Sequence, residues 1–415
     1  MGEKDMLIKN ARIENNEELA DLRVKDGIFE QIGKLEPAQD EEILDLNGKL
    51  LLPPFVESHV HLDTCLTAGD PAWNMSGTLF EGIELWSRRK EKLSKDDIKE
   101  RVRKAVSMYA LNGVQYIRTH VDITDPSLMA MKTMLELKEE LKDIADIQIV
   151  AFPQEGILSY PNGKQLLIDA VKLGADAIGA IPHFEFTREY SVESLDFAMH
   201  LAKEENKLVD VHCDEIDDEA SRGLETVAAR AYELELYDKV TASHTTAMHS
   251  YNNAYVLRLM RLLKMSKINF VANPLVNTHL QGRADTYPKR RGITRVKELL
   301  EQGINVSFGH DDIYDPWYPM GNGSLRDVVF VGLHVTQMMG YEQIMDSYKF
   351  ITYNGAKTLH INDSYGIKEG LSANFIVLDA ENYYEALIKD AAVLYSYRKG
   401  NKIVENTPSK KQLLL

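Results

Sequence analysis

His59 and His61 stand two residues apart at the end of a short apolar run, Pro53-Pro54-Phe55-Val56-Glu57-Ser58-His59-Val60-His61-Leu62-Asp63. In a β-strand, residues i and i+2 share a face, so the two imidazoles can aim at one point. Two imidazoles together at the mouth of a strand form half of a metal site. Alone, such a pair is equally a pair of hydrogen-bonded strand histidines. Side chains of the same kind recur at the ends of later apolar runs: His120 and Asp122, Gln154 and Glu155, His183 and Glu185, His212 with Asp214 and Glu215, His244, Asn273 and Asn277, Asp311 and Asp312. His200, His334 and His360 fall in helical patterns and carry no special role.

Elements of alternating type must position these side chains. After the first strand, residues 94–111 form a charged amphipathic helix, with Ser94 as N-cap and Asp97 at the capping-box position. Strands are expected at 114–122, 146–153, 177–182, 208–212, 240–244, 269–273 and 305–309. Helices are expected at 127–141, 164–173, 192–205, 222–234, 254–265 and 294–302. Eight strands, each followed by a helix or helical turn, define an α/β chain folded as a (β/α)8 TIM barrel. Such a barrel places its chemistry at the C-terminal strand ends, where these residues lie.

The two chain ends have a different texture. Residues 6–13, 21–27 and 43–48 alternate apolar and polar positions and are punctuated by Asp26-Gly27 and Asn47-Gly48. Residues 373–378 and 394–404 repeat that pattern. A small β-sandwich domain built from both ends is expected, at 1–54 and 361–415, around a catalytic barrel at 55–360.

Composition narrows the function. The chain is 44% hydrophobic and 27% charged, which fits a globular protein. A net charge of −16 leaves no basic footprint, so neither nucleic acid nor an anionic membrane is an expected partner. No apolar run is long enough to cross a bilayer, and the polar N-terminus shows no signal segment. Two cysteines, Cys65 and Cys213, suit a reducing cytoplasm and read as packing residues. The net charge suits a small neutral or cationic substrate.

The histidine pair, His212, His244 and Asp311 together resemble the pattern of the amidohydrolase superfamily. Longer blocks resemble the bacterial cytosine deaminases within it: residues 53–64, Phe152-Pro153-Gln154-Glu155-Gly156, Val211-His212-Cys213-Asp214-Glu215, Ala242-Ser243-His244-Thr245-Thr246-Ala247-Met248-His249 and Gly309-His310-Asp311-Asp312. The resemblance runs across nearly the whole chain. It implies that His59, His61, His212 and Asp311 hold one divalent metal ion per chain, Fe2+ or Zn2+. It also implies that His244 supports an attacking hydroxide and that Gln154 grips a pyrimidine ring. The partners it implies are a small heterocyclic substrate and, by self-association into a homo-oligomer, further copies of the chain. The superfamily's binuclear members use a lysine at the fourth strand's exit. Here that exit reads Gly179-Ala180-Ile181-Pro182-His183, so a single ion is expected.

The residue types fit the implied reaction, hydrolytic deamination of cytosine to uracil and ammonia in pyrimidine salvage. Three imidazoles and a carboxylate suit a borderline divalent ion, which would bring the pKa of a bound water towards ~7. Glu215 is placed to shuttle a proton, against a plainer reading as a helix-start acid. Asp311 would serve both as ligand and in catalysis. Asp312 would orient substrate, while Phe152 and Trp317 would offer flat walls, although core packing is the plainer reading of each aromatic. The loop at 67–77 is expected to be a lid that brings Leu79 against the substrate.

Isoguanine, creatinine and related exocyclic-amine heterocycles are rival substrates. A catalytically silent scaffold of the same fold is a rival of another class, disfavoured by the complete ligand set with Glu215. The unrelated zinc deaminases need H-x-E followed by P-C-x-x-C. His183-Phe184-Glu185 supplies the first half, but the chain has no C-x-x-C.

Overall fold

The computed structural model describes residues 5–39, 41–408 and 412–413. Residues 1–4, on which the reading of the N-terminus partly rests, lie outside the described residues. Five strands open the chain: β1 (Met6–Ile13), β2 (Ala20–Lys25), β3 (Ile28–Gly33), β4 (Glu42–Asp45) and β5 (Leu50–Leu52). Asp26-Gly27 turns β2 into β3 with both residues at positive φ (49° and 73°), the backbone a two-residue hairpin needs. β1 carries a bulge between Ile8 and Ala11, so its first half pairs with β4 and its end pairs with β5.

The barrel follows as β6 (Phe55–Val60), β7 (Val114–Asp122), β8 (Asp146–Phe152), β9 (Ala177–Ala180), β10 (Leu208–Cys213), β11 (Val240–His244), β12 (Asn269–Ala272) and β13 (Val306–Phe308). The eight pair in chain order, all parallel. They are largely buried on both faces, and apolar residues alternate in them with buried polar ones such as Glu57, Arg118, Asp210 and Ser243. The seam between β6 and β13 closes through the site's own backbone. Asp311 N donates to His59 O at 2.8 Å, and His61 N donates to Asp311 O at 3.0 Å. Below the seam, Glu57 accepts from the backbone N–H groups of His59 (2.9 Å) and His310 (3.0 Å) and from the Tyr109 hydroxyl (2.8 Å).

Ten helices of the barrel region are α1 (Leu79–Lys90), α2 (Lys95–Leu111), α3 (Met129–Glu140), α4 (Gly163–Leu173), α5 (Arg188–Glu204), α6 (Gly223–Glu233), α7 (Asn253–Ser266), α8 (Pro274–Leu280), α9 (Val296–Glu301) and α10 (Leu325–Thr336). Ser94 caps α2 by accepting from Asp97 N, as its sequence predicts. α1, α8 and α10 depart from the expected set. α1 starts at Thr78, whose side chain accepts from Glu81 N, and its apolar face carries Ile83 and Trp86. His360 lies just past a helix, at φ 58°, rather than within one.

The closing strands β14 (Phe375–Leu378), β15 (Val393–Arg398) and β16 (Asn401–Glu405) join the opening five in one eight-stranded sheet. Its core holds Leu51, Phe375 and Val377, while Leu50, Leu52, Ile376 and Leu378 pack on the other side with the barrel's core. The two-residue alternation of β5 and β14 thus glues the sheet to the barrel. Among the described residues, no helix is long and apolar enough to cross a membrane, and both cysteines are free and buried.

Candidate active site

His59 and His61 leave the end of β6 on the same face, His212 is the penultimate residue of β10 and Asp311 follows β13. Their donor atoms converge: His212 Nε2 lies 3.2 Å from His59 Nε2 and 3.0 Å from His61 Nε2, and Asp311 Oδ1 lies 3.4 and 3.6 Å from those two nitrogens. His244 and Asp311 reach the focus from left-handed backbone, at φ 66° and 70°. Non-glycine residues adopt that conformation at a cost, which is often met at functional sites.

Burial pushes the imidazoles of His59, His61, His212 and His244 well below the usual histidine range, so their ring nitrogens offer lone pairs. The carboxyls meet the opposite pressure. Glu215 is pushed up to about 8 by burial. Asp311 and Asp312 rise well above the carboxylate range, first through burial and then through neighbouring acids. Nitrogen lone pairs in mutual contact beside crowded carboxylates are unfavourable unless a cation lies between them. A borderline divalent ion, which takes imidazole and carboxylate ligands, relieves both strains. The residues present fit such an ion.

The cavity beside this focus is lined by His61, His212, His244, Asp311, Glu215, Gln154 and Asp312, with Leu79, Ile181, Leu280 and Trp317 as apolar walls. Glu215 Oε1 lies 3.3 Å from His244 Nδ1, and the Asn277 amide nitrogen lies 2.9 Å from that same ring nitrogen. Asp312 is hydrogen-bonded to Asp315, which also accepts from the Thr64 hydroxyl at 2.9 Å. Trp317 stacks towards His61, ring centroids 6.5 Å apart, and its Nε1–H donates to Leu79 O at 3.2 Å.

Phe152 is placed differently from its expected position at the substrate. It is fully buried and stacks on His212 at 3.9 Å, behind the cavity, because β8 turns its side chain into the barrel interior. Ile181 and Leu280 line the cavity instead, and neither was singled out in the sequence. Leu280 belongs to α8, a seven-residue helix too short to show a period. Beneath the site the structure gathers Arg118, His120, Asp210 and Ser243, all fully buried. Their signal was the i, i+2 spacing of Arg118 with His120 and of Asp210 with His212.

A closed parallel barrel with a flanking sheet from both chain ends, and a histidine–aspartate focus at the strand exits, defines a class. The chain belongs to the amidohydrolase family, whose model matches residues 42–404. More particularly, it is 50% identical to 5-methylcytosine deaminase from Klebsiella pneumoniae, solved with 5-fluorocytosine, at a TM-score of 0.96 over 98% of this chain and 99% of that one. It is also 32% identical over 409 residues to N-isopropylammelide isopropyl amidohydrolase of Pseudomonas sp. strain ADP, covering 97% of this chain and 98% of the relative. An N-isopropylammelide isopropylaminohydrolase structure from Burkholderia multivorans, 23% identical with a TM-score of 0.84, shares the fold.

Proposed function

We propose that this chain deaminates cytosine-type pyrimidines, cytosine and its 5-substituted forms, by hydrolysis. One observation carries the reading. Gln154 and Asp312 line the cavity that also holds Glu215 and His244, beside a ligand focus of three imidazoles and Asp311. The 50% identity to a 5-methylcytosine deaminase over nearly the full chain supports the same substrate class.

His59, His61, His212 and Asp311 would hold the ion, which would acidify a water and make hydroxide available at neutral pH. In this reading Glu215 takes a proton from the attacking water and passes it to the ring nitrogen beside the amino-bearing carbon. That carbon gains a C–O bond and becomes tetrahedral. A second proton, from the new hydroxyl through Glu215, goes to the exocyclic nitrogen. The C–N bond then breaks, ammonia leaves with the electron pair and a carbonyl remains. His244, held by Asn277, steadies the attacking oxygen. Gln154 pairs with the ring through one donor and one acceptor, and Leu79, Leu280 and Trp317 exclude water.

The relationship to N-isopropylammelide isopropyl amidohydrolase favours one alternative, loss of an alkylamine from a triazine ring. Ammonia and isopropylamine release should be assayed across cytosine, 5-methylcytosine, 5-fluorocytosine, isoguanine, creatinine and N-isopropylammelide, alongside metal analysis. Ammonia from the cytosines, with about one zinc or iron ion per chain, is the expected result. Turnover of N-isopropylammelide alone would overturn the substrate assignment, and two bridged ions would overturn the single-ion site.

A further inference from the structure

Ser243, Asp210 and Arg118 lie in the barrel interior with no exposed surface, touching none of the cavity. Asp210 shares a face of β10 with His212, and Ser243 precedes His244 on β11. Ser243 Oγ lies 2.6 Å from Asp210 Oδ1 and 2.9 Å from His59 Nδ1. The hydroxyl has one proton to give. Arg118 Nη1 donates to Asp210 Oδ2 at 2.9 Å and His120 Nε2 lies 3.5 Å from Oδ1, so donors face that carboxyl group on both oxygens and it serves as the acceptor. The serine proton therefore goes to Asp210. Ser243 Oγ then accepts from His59, whose proton must sit on Nδ1. His59 Nε2 is left bare, facing His212 Nε2 and Asp311.

Arg118 is itself fixed. It donates to Gln148 Oε1 (2.6 Å), Thr241 Oγ1 (3.1 Å) and Thr358 O (2.8 Å). A fully buried ion pair brings little net stability, and apolar residues of equal volume often serve as well or better. What the pair does hold is Ser243, through Asp210. Histidine ligands are commonly oriented through their second ring nitrogen by such partners.

We infer that Ser243 is a positioning residue which, with Asp210 and Arg118 behind it, fixes the tautomer and aim of His59 and so sets the affinity of the site for a divalent ion. This rests on the assignment of His59, His61, His212 and Asp311 as ligands. The test uses the full chain stripped by a chelator and titrated with Zn2+ against a chromophoric competitor, so that no turnover is needed. Ser243→Ala should bind zinc roughly 10- to 100-fold more weakly, with the apo-protein melting near wild type. Asp210→Asn, in which the amide can reverse the serine's hydrogen bond, is the second variant and should show a loss at least as large. In a His59→Ala background, Ser243→Ala should cause no further loss. Wild-type zinc affinity in both single variants, or an added loss in the His59→Ala background, would overturn the inference. His61→Ala is the control: if it keeps wild-type zinc binding, the ligand assignment has failed instead.

Discussion

Glu215 retains 4% of its exposure and touches His244, while burial raises its pKa to about 8. A carboxyl held near neutrality can both accept and return a proton, whereas an ordinary surface glutamate returns one poorly. Glu215→Gln preserves size and hydrogen-bonding reach but removes the exchangeable proton. Metal content should stay near wild type while kcat falls ~10²–10⁴-fold, the span of general acid–base catalysis. Loss of metal together with activity would make Glu215 a ligand, and intact turnover would reduce it to a helix-start acid. Gln154 is tested separately because its part is recognition. Gln154→Leu leaves polar substrate edges unpaired in a closed cavity, at ~1–3 kcal/mol. The expected fall in kcat/KM on cytosine is then roughly tenfold to a hundredfold, and undiminished activity would refute the contact.

Elements decide how much of this could be read in advance. Strand exits were legible because a period of two survives in short runs: β11 spans Val240–His244 as expected, and His59 and His61 leave β6 together. The roof of the cavity was less legible. α1 opens on Thr78, which caps Glu81 N, while the Glu81 carboxylate accepts from the backbone of Met75 and Ser76; Gly82 and two aromatic residues, Phe80 and Trp86, blur its period. Gly82 is there for a packing reason that appears only in three dimensions. A Cβ at that position would lie 2.4 Å from Trp317 Nε1. Ile181 and Leu280 were missed because nothing in their local sequence marks a cavity wall. Gly82→Ala should favour the helix by about 1 kcal/mol on propensity alone, yet it must push the Trp317 indole off Leu79. The expected outcome is a folded protein with a several-fold higher KM for cytosine and altered tryptophan fluorescence. An unchanged KM would remove Trp317 from the substrate's wall.

At the scale of the whole molecule, the sheet from the chain ends is bound to the barrel by packing that alternates along single strands. Ile376 is fully buried and belongs to the core cluster shared with the barrel, whereas its neighbours Phe375 and Val377 face the sheet's own interior. Its side chain lies against Gly113, the residue that precedes β7, where an added Cβ would come within 3.1 Å. Gln115 at the start of β7 donates to Tyr397 O at 2.8 Å, and Arg398 reaches Lys142 O at 2.8 Å and Asp146 at 2.7 Å. These bonds tie β15 to the bottoms of β7 and β8, the strands that carry His120 and Phe152 at their other ends. A sheet joined in this way should not unfold by itself. Ile376→Ala removes buried methylene groups and leaves a cavity between the two cores, at a cost of ~2–5 kcal/mol. If the layers are one cooperative unit, that loss lowers a single unfolding transition, and far-UV circular dichroism and deaminase activity fall together along it. If the sheet is an independent unit, the variant should instead split the melt, with an early transition that leaves activity intact. Coincidence of the two probes in urea, in wild type and variant, distinguishes the cases.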